Sequence, residues 1–102
     1  YIDDIIEGIY LIVKKPSMDK IPFNIFNIGN GNSRKLKDYL NLIEKKLGKK
    51  AKIKKLPLQK GDIQKTHSDI SLLSKNSNYK PKINIEEGIN RFIDWFIKYY
   101  KY

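Results

Sequence analysis

At 102 residues, 40% hydrophobic and 31% charged, the chain has the size and composition of one modest globular domain rather than a disordered segment. It has no cysteine, which excludes a disulfide framework, a zinc-thiolate centre and a cysteine nucleophile, and no apolar run nears the roughly 18 residues of a membrane span. The net charge of +10 admits an anionic partner, yet only Arg34 and Arg91 are arginines, and base readout and bidentate phosphate clamps favour arginine over lysine.

The chain opens on "YIDDIIEGIYLIV", and its only methionine is Met18, so it reads as a piece of a longer protein. Asp3 or Asp4 is expected to cap a core-facing helix carrying Ile5, Ile6, Ile9, Ile12 and Val13, ended by Lys14, Lys15 and Pro16. "FNIFNI", residues 23 to 28, is rich in aromatic and β-branched residues and predicts a strand. The next helix has Asn32 or Ser33 as its cap, a stripe of Leu36, Tyr39, Leu40, Ile43 and Leu47, and Gly48 as a left-handed stop.

"AKIKKLP", from Ala51 to Pro57, predicts a second short strand with lysines on its wet side. Seven lysines fall within residues 45 to 55. With no aromatic among them for stacking, they read as a solvated helix end and strand face, and nucleic acid is not the expected partner. Asp69 is placed to cap a short helix through Leu72 and Leu73. A last helix, Ile85 to Tyr99, presents Ile85, Ile89, Phe92, Ile93 and Phe96. No linker or repeat separates these elements, so they are expected to share one core.

Two motif matches are weak. Gly29-Asn-Gly31 follows a predicted strand, as a dinucleotide loop would, but Arg34 stands where the fingerprint needs a small residue and no ribose-binding acid follows. Its simpler reading is a tight turn and helix cap. Tyr10 and Lys14 have the spacing of a catalytic Tyr-Lys pair, a cheap match in a chain with 7 tyrosines. His67, the only histidine, lacks partners for a metal site and is expected to be a partly buried loop side chain.

The polar stretch "QKGDIQKTHSD", residues 59 to 69, concentrates hydrogen-bonding groups beyond what a turn needs. Together with "YIDDIIEGI", "FNIGNGNS", "LKDYLNLIEKKLGKKA" and "NYKPKINIEEGINRFIDWFIKYY", it resembles the carboxy-terminal portion of extended short-chain dehydrogenase/reductases, within the nucleotide-sugar epimerase/dehydratase group and nearest the UDP-glucuronate epimerases. The most specific piece is Gly61, Asp62, Thr66, Ser68 and Asp69. The resemblance implies an α/β fold: the substrate-binding lobe, residues 1 to 102, of a Rossmann-type enzyme, with about four helices and a few short strands. It implies a UDP-sugar as substrate, with Gln59, Asp62 and Thr66 as binding residues and Asp62 accepting from ribose hydroxyls. Gln59 stands where galactose-type epimerases carry arginine, which favours the glucuronate type; Lys60 leaves a point-charge contact to phosphate open.

In the parent, NAD would take the hydride from C4 while a tyrosine accepts the hydroxyl proton. This chain lacks the NAD loop and the catalytic pair, so it is expected to bind no cofactor and to be inactive alone. The resemblance further implies the amino-terminal NAD domain as a partner, a homodimeric parent, a cytoplasmic location without membrane contact, and a place in surface or capsular polysaccharide synthesis. Exposed apolar surface is expected where the NAD domain would dock. A dehydratase or decarboxylase of the same fold, and a basic module for RNA or an acidic polymer, stay open as alternatives.

Overall fold

The computed structural model describes residues 1–63 and 65–101. Four helices follow one another: α1 (Ile2–Val13), α2 (Leu36–Leu47), α3 (Ser71–Ser77) and α4 (Ile85–Tyr100). The expected single core gives way to two compact units. The first comprises residues 1–33 and 67–83, the second residues 34–66 and 84–102.

In the first unit α1 packs against α3, and burial centres on Leu73, Tyr79 and Ile83. Gly8 permits the contact: a Cβ there would lie 3.1 Å from Ile28 Cγ2 and 3.2 Å from the Tyr79 ring. The Tyr79 hydroxyl donates to the Gly29 carbonyl at 3.1 Å, so the ring spans from α1 to the turn that follows residue 28. Burial, with the nearby carboxylates of Asp4 and Glu7, pushes the phenol above its ordinary pKa. α3 is closed by Asn78 in the left-handed conformation, φ 59°, which Asn tolerates better than most residues.

Neither Asp3 nor Asp4 caps α1, whose N-cap is Tyr1. Asp4 is buried, at 4% exposure, and accepts the backbone N–H groups of Lys82 and Ile83, each at 3.0 Å. Ile6, Ile9 and Val13 are exposed, so the predicted core face of α1 is largely uncovered within this unit. A periodic stripe marks a face able to be buried but does not specify what covers it.

In the second unit α2 packs on α4, with Ile93 buried. Lys46 pairs with Asp94 at 2.7 Å and Lys45 with Glu86 at 3.5 Å. Gly48 closes α2 in the left-handed conformation as predicted, φ 63°. The start of α2 differs from expectation: its N-cap is Lys35 rather than Asn32 or Ser33. There the Asp38 carboxylate accepts the Lys35 N–H at 3.3 Å, and the ammonium has no acceptor to give in return. Beyond Gly48, Glu44 takes the Ala51 N–H and the Lys50 ammonium, both at 2.8 Å. α4 starts at Asn84, whose side chain accepts from the Glu87 N–H at 2.9 Å, and ends one residue beyond the predicted Tyr99.

No strand is found among the described residues, against the expectation of strands at 23–28 and 51–57. A ladder needs a second extended segment to exchange N–H and C=O partners with. The two strand-like runs fall in different units, and neither has another such run in its own unit to pair with.

Candidate functional site

Residues 59 to 62 form a β-turn. The Asp62 N–H donates to the Gln59 carbonyl at 3.1 Å, and Gly61, third in the turn, has φ +96°. A positive φ at that position is the signature of a type II turn and explains the glycine. The Asp62 Oδ2 in turn accepts the Gln59 N–H at 3.3 Å, so the backbone of each residue is tied to the other. Gln59, Lys60 and Asp62 are all exposed, which leaves Asp62 Oδ1 and the Gln59 amide available to a ligand, with the Lys60 ammonium on the same turn.

Thr66 is also exposed, but no hydrogen bond joins it to Gln59 or Asp62 among the described residues. The structure thus brings together two of the three candidate binding residues. The intervening Gln64 lies outside the described residues. A concavity of about 420 Å³, lined by residues including Lys15, Asp19, Asn24 and Phe26, belongs to the first unit.

Asp69 does not serve as the N-cap of α3, which is Ile70. Its Oδ1 accepts the Ser71 N–H at 2.9 Å. Hydrogen bonds from Ser71, with a smaller contribution from His67, hold the Asp69 carboxyl below its ordinary pKa. His67 itself is exposed rather than partly buried.

The Gly29–Gly31 loop is shaped for packing. A Cβ on Gly29 would lie 2.8 Å from Ser68 Cβ, and one on Gly31 would lie 3.2 Å from Ile70 Cδ1. Its glycines face protein atoms rather than an open cradle, and the loop ends short of α2, so these residues do not fit the pyrophosphate of NAD. Tyr10 and Lys14 do not form a catalytic pair either: the ammonium sits over the face of the phenol ring, 4.3 Å from its centroid, as a cation–π contact. Sequence reasoning missed Asp4 and Tyr79. Nothing local in "YIDD" or "NYKP" distinguishes a side chain with a distant partner from a cap or a surface ring.

No family model matches the chain. It is 35% identical over 115 residues to the protein CapI of Staphylococcus aureus, covering 99% of this chain and 34% of that one. It is 36% identical over 96 residues to the UDP-glucuronate 4-epimerase of Thermodesulfobacterium geofontis, covering 93% and 28%. A solved structure superposes with a TM-score of 0.84 at 28% identity, over 98% of this chain and 31% of that one: the Y149F mutant of UDP-glucuronic acid 4-epimerase from Bacillus cereus, in complex with UDP-4-deoxy-4-fluoro-glucuronic acid and NAD. The likeness defines a member of the Rossmann-type extended short-chain dehydrogenase class. Within it, the chain belongs to the nucleotide-sugar epimerase family that includes the UDP-glucuronate 4-epimerases. It spans about a third of the length of the curated relatives it matches.

Proposed function

We propose that this chain is the carboxy-terminal, UDP-sugar-binding part of an NAD-dependent UDP-glucuronate-type 4-epimerase. What carries the reading is the Gln59–Asp62 turn, which offers a carboxylate, an amide and an ammonium within four residues, in a chain that superposes on an epimerase crystallised with a UDP-sugar. Asp62 accepts hydrogen bonds from ribose hydroxyls, Gln59 contacts the nucleotide, Lys60 lies near the diphosphate, and Thr66 reaches the sugar or its phosphates. The hydride exchange that NAD provides belongs to the rest of such an enzyme, and no residue of this chain is assigned to the cofactor or to proton transfer.

The bound species is a nucleotide sugar carrying a carboxylate, in the supply of precursors for a surface or capsular polysaccharide, and the setting is the cytoplasm. The exposed face of α1, with Ile6, Ile9 and Val13, packs on the NAD-binding part of the same protein. Dimer formation rests with that part.

The test is titration of the isotope-labelled chain with UDP-glucuronate and with UDP, followed by backbone amide shifts. Shifts centred on residues 59 to 66 and lost in Asp62→Asn are expected. Shifts elsewhere, or unchanged in the variant, would remove the turn from the site. Added NAD and UDP-glucuronate should give no epimerised product with the 102-residue chain.

A further inference from the structure

The charge of this chain is unevenly placed. Residues 34–66 and 84–102 carry 15 basic against 6 acidic side chains, a formal +9, whereas the first unit has 6 against 5, a formal +1. The acids of the second unit are already engaged. Glu44, Glu86, Glu87 and Asp94 are in ion pairs, and Asp38 and Asp62 accept backbone N–H groups. Lys49, Lys52, Lys54 and Lys55 make no ion pair among the described residues, so four ammonium groups stand uncompensated within seven positions.

The same unit exposes an aromatic face. Phe92, Trp95, Phe96, Tyr99 and Tyr100 recur at the spacing of one side of α4, and all are exposed, Trp95 at 51% and Tyr99 at 65%. The rings lie against one another: Trp95 stacks on Tyr99 with centroids 5.3 Å apart, and Phe96 meets Tyr100 at 4.6 Å. Arg91 and Lys98 border this face on the helix.

We infer that the second unit attaches peripherally to an anionic lipid surface, the α4 aromatic face entering the headgroup boundary while the Lys49–Lys55 run neutralises lipid phosphates. Charge selects among occupants. A second copy would set one +9 surface against another. Nucleic acid needs separate ring faces on which bases stack, whereas these rings cover one another and present a continuous apolar surface edged with phenol and indole groups. Such groups favour the boundary between water and acyl chains, and an amphipathic helix with basic residues beside its apolar face matches that placement. Among the described residues no helix is long and apolar enough to cross a membrane, which bears on spanning and not on attachment from one side. The inference is independent of the UDP-sugar reading, whose residues lie on the Gln59–Asp62 turn.

Trp95 is the only tryptophan and lies against the rings of Phe92, Tyr99 and Tyr100, so its emission reports on the face. Vesicles of phosphatidylcholine with about one third phosphatidylglycerol should shift its emission to shorter wavelength and carry the chain down on sedimentation. Pure phosphatidylcholine vesicles should do neither, and affinity should fall about tenfold or more between low and high salt, as screening removes the lysine contribution. Lys49→Gln combined with Lys52→Gln and Lys54→Gln alters only exposed side chains and should weaken binding about tenfold or more with an unchanged circular dichroism spectrum; Tyr99→Ser should reduce the emission shift. Equal binding to uncharged vesicles, no binding to anionic ones, insensitivity to the lysine substitutions, or preferential binding of single-stranded RNA over vesicles would each overturn the proposal.

Discussion

The carboxylate of Asp4 accepts a hydrogen bond from the backbone N–H of Ile83, 79 positions along the chain, at 3.0 Å. Its other oxygen holds the Lys82 N–H, while the Lys82 ammonium reaches Glu7 one turn further along α1 at 2.7 Å. Two N–H groups that would otherwise be orphaned at the edge of a core thus depend on one side chain. Asp4→Ala should lower stability by about 2–4 kcal/mol, the range for breaking charged hydrogen bonds and stranding their partners. Asp4→Asn, with one carbonyl oxygen left, should lose about half of that. Urea unfolding with an unchanged m value is the measurement, and an Asp4→Asn variant as stable as the original chain would show that the carboxylate acts through shape alone.

Gly29 and Ser68 are coupled by space. A Cβ at residue 29 would fall 2.8 Å from Ser68 Cβ, so Gly29→Ala should cost about 1–3 kcal/mol through overpacking. Adding Ser68→Gly should restore part of it, a coupling visible in a double-mutant cycle. Ser68 Oγ is buried with no hydrogen-bond partner among the described residues. Ser68→Ala alone should therefore leave stability unchanged or raise it by about 1 kcal/mol.

Two carboxyls titrate low in the folded chain. Lys50 and the Ala51 N–H hold Glu44 below its ordinary 4.5, and Ser71 holds Asp69 below 3.8. A folded pKa lower than the unfolded one adds stability that is fully present above the unfolded value and is lost as pH falls through the folded one. Stability should therefore decline as pH drops below about 4.5. The decline should be shallower in Glu44→Gln, and carboxyl carbon shifts should place both titrations below those of the unfolded chain. Ordinary midpoints for both groups would contradict this.

Gly61 and Gly48 form a controlled pair. Both have positive φ, and a Cβ on either meets nothing within 4 Å, so alanine costs only backbone conformation, about 1–2 kcal/mol. Gly61→Ala should also weaken UDP binding severalfold, because the turn aims Asp62. Gly48→Ala, at the end of α2, should not. A binding loss shared equally by both would point to general loosening.

What could be read from the residues divides by range. Gly48 as a stop and the extent of α4 follow from periodicity and local conformational preference, and the structure agrees to within a residue. The start of α1 is hard to read because Asp4 has its partners at residues 82 and 83: it looks like a cap to any rule that sees only its neighbours. The strand expectations failed for the complementary reason, since "FNIFNI" and "AKIKKLP" have the composition of strands but composition supplies no partner to bond with. At the candidate site, the turn and the need for Gly61 were legible from Lys60-Gly61-Asp62, while the mutual backbone bonds of Gln59 and Asp62 were not.

The interleaving of the two units bears on the order in which the chain can fold during synthesis. Residues 1–33 must wait for residues 67–83 before their core can close, and in the meantime α2 is made with its eventual partner, α4, still unwritten. Once residue 83 is out, the first unit can close, while residues 34–66 stay unfinished until α4 follows. Assembly is therefore set by closure of two overlapping long loops, the slow kind of contact to form. Until α4 arrives, the apolar side of α2 is the part of the nascent chain most in need of shielding.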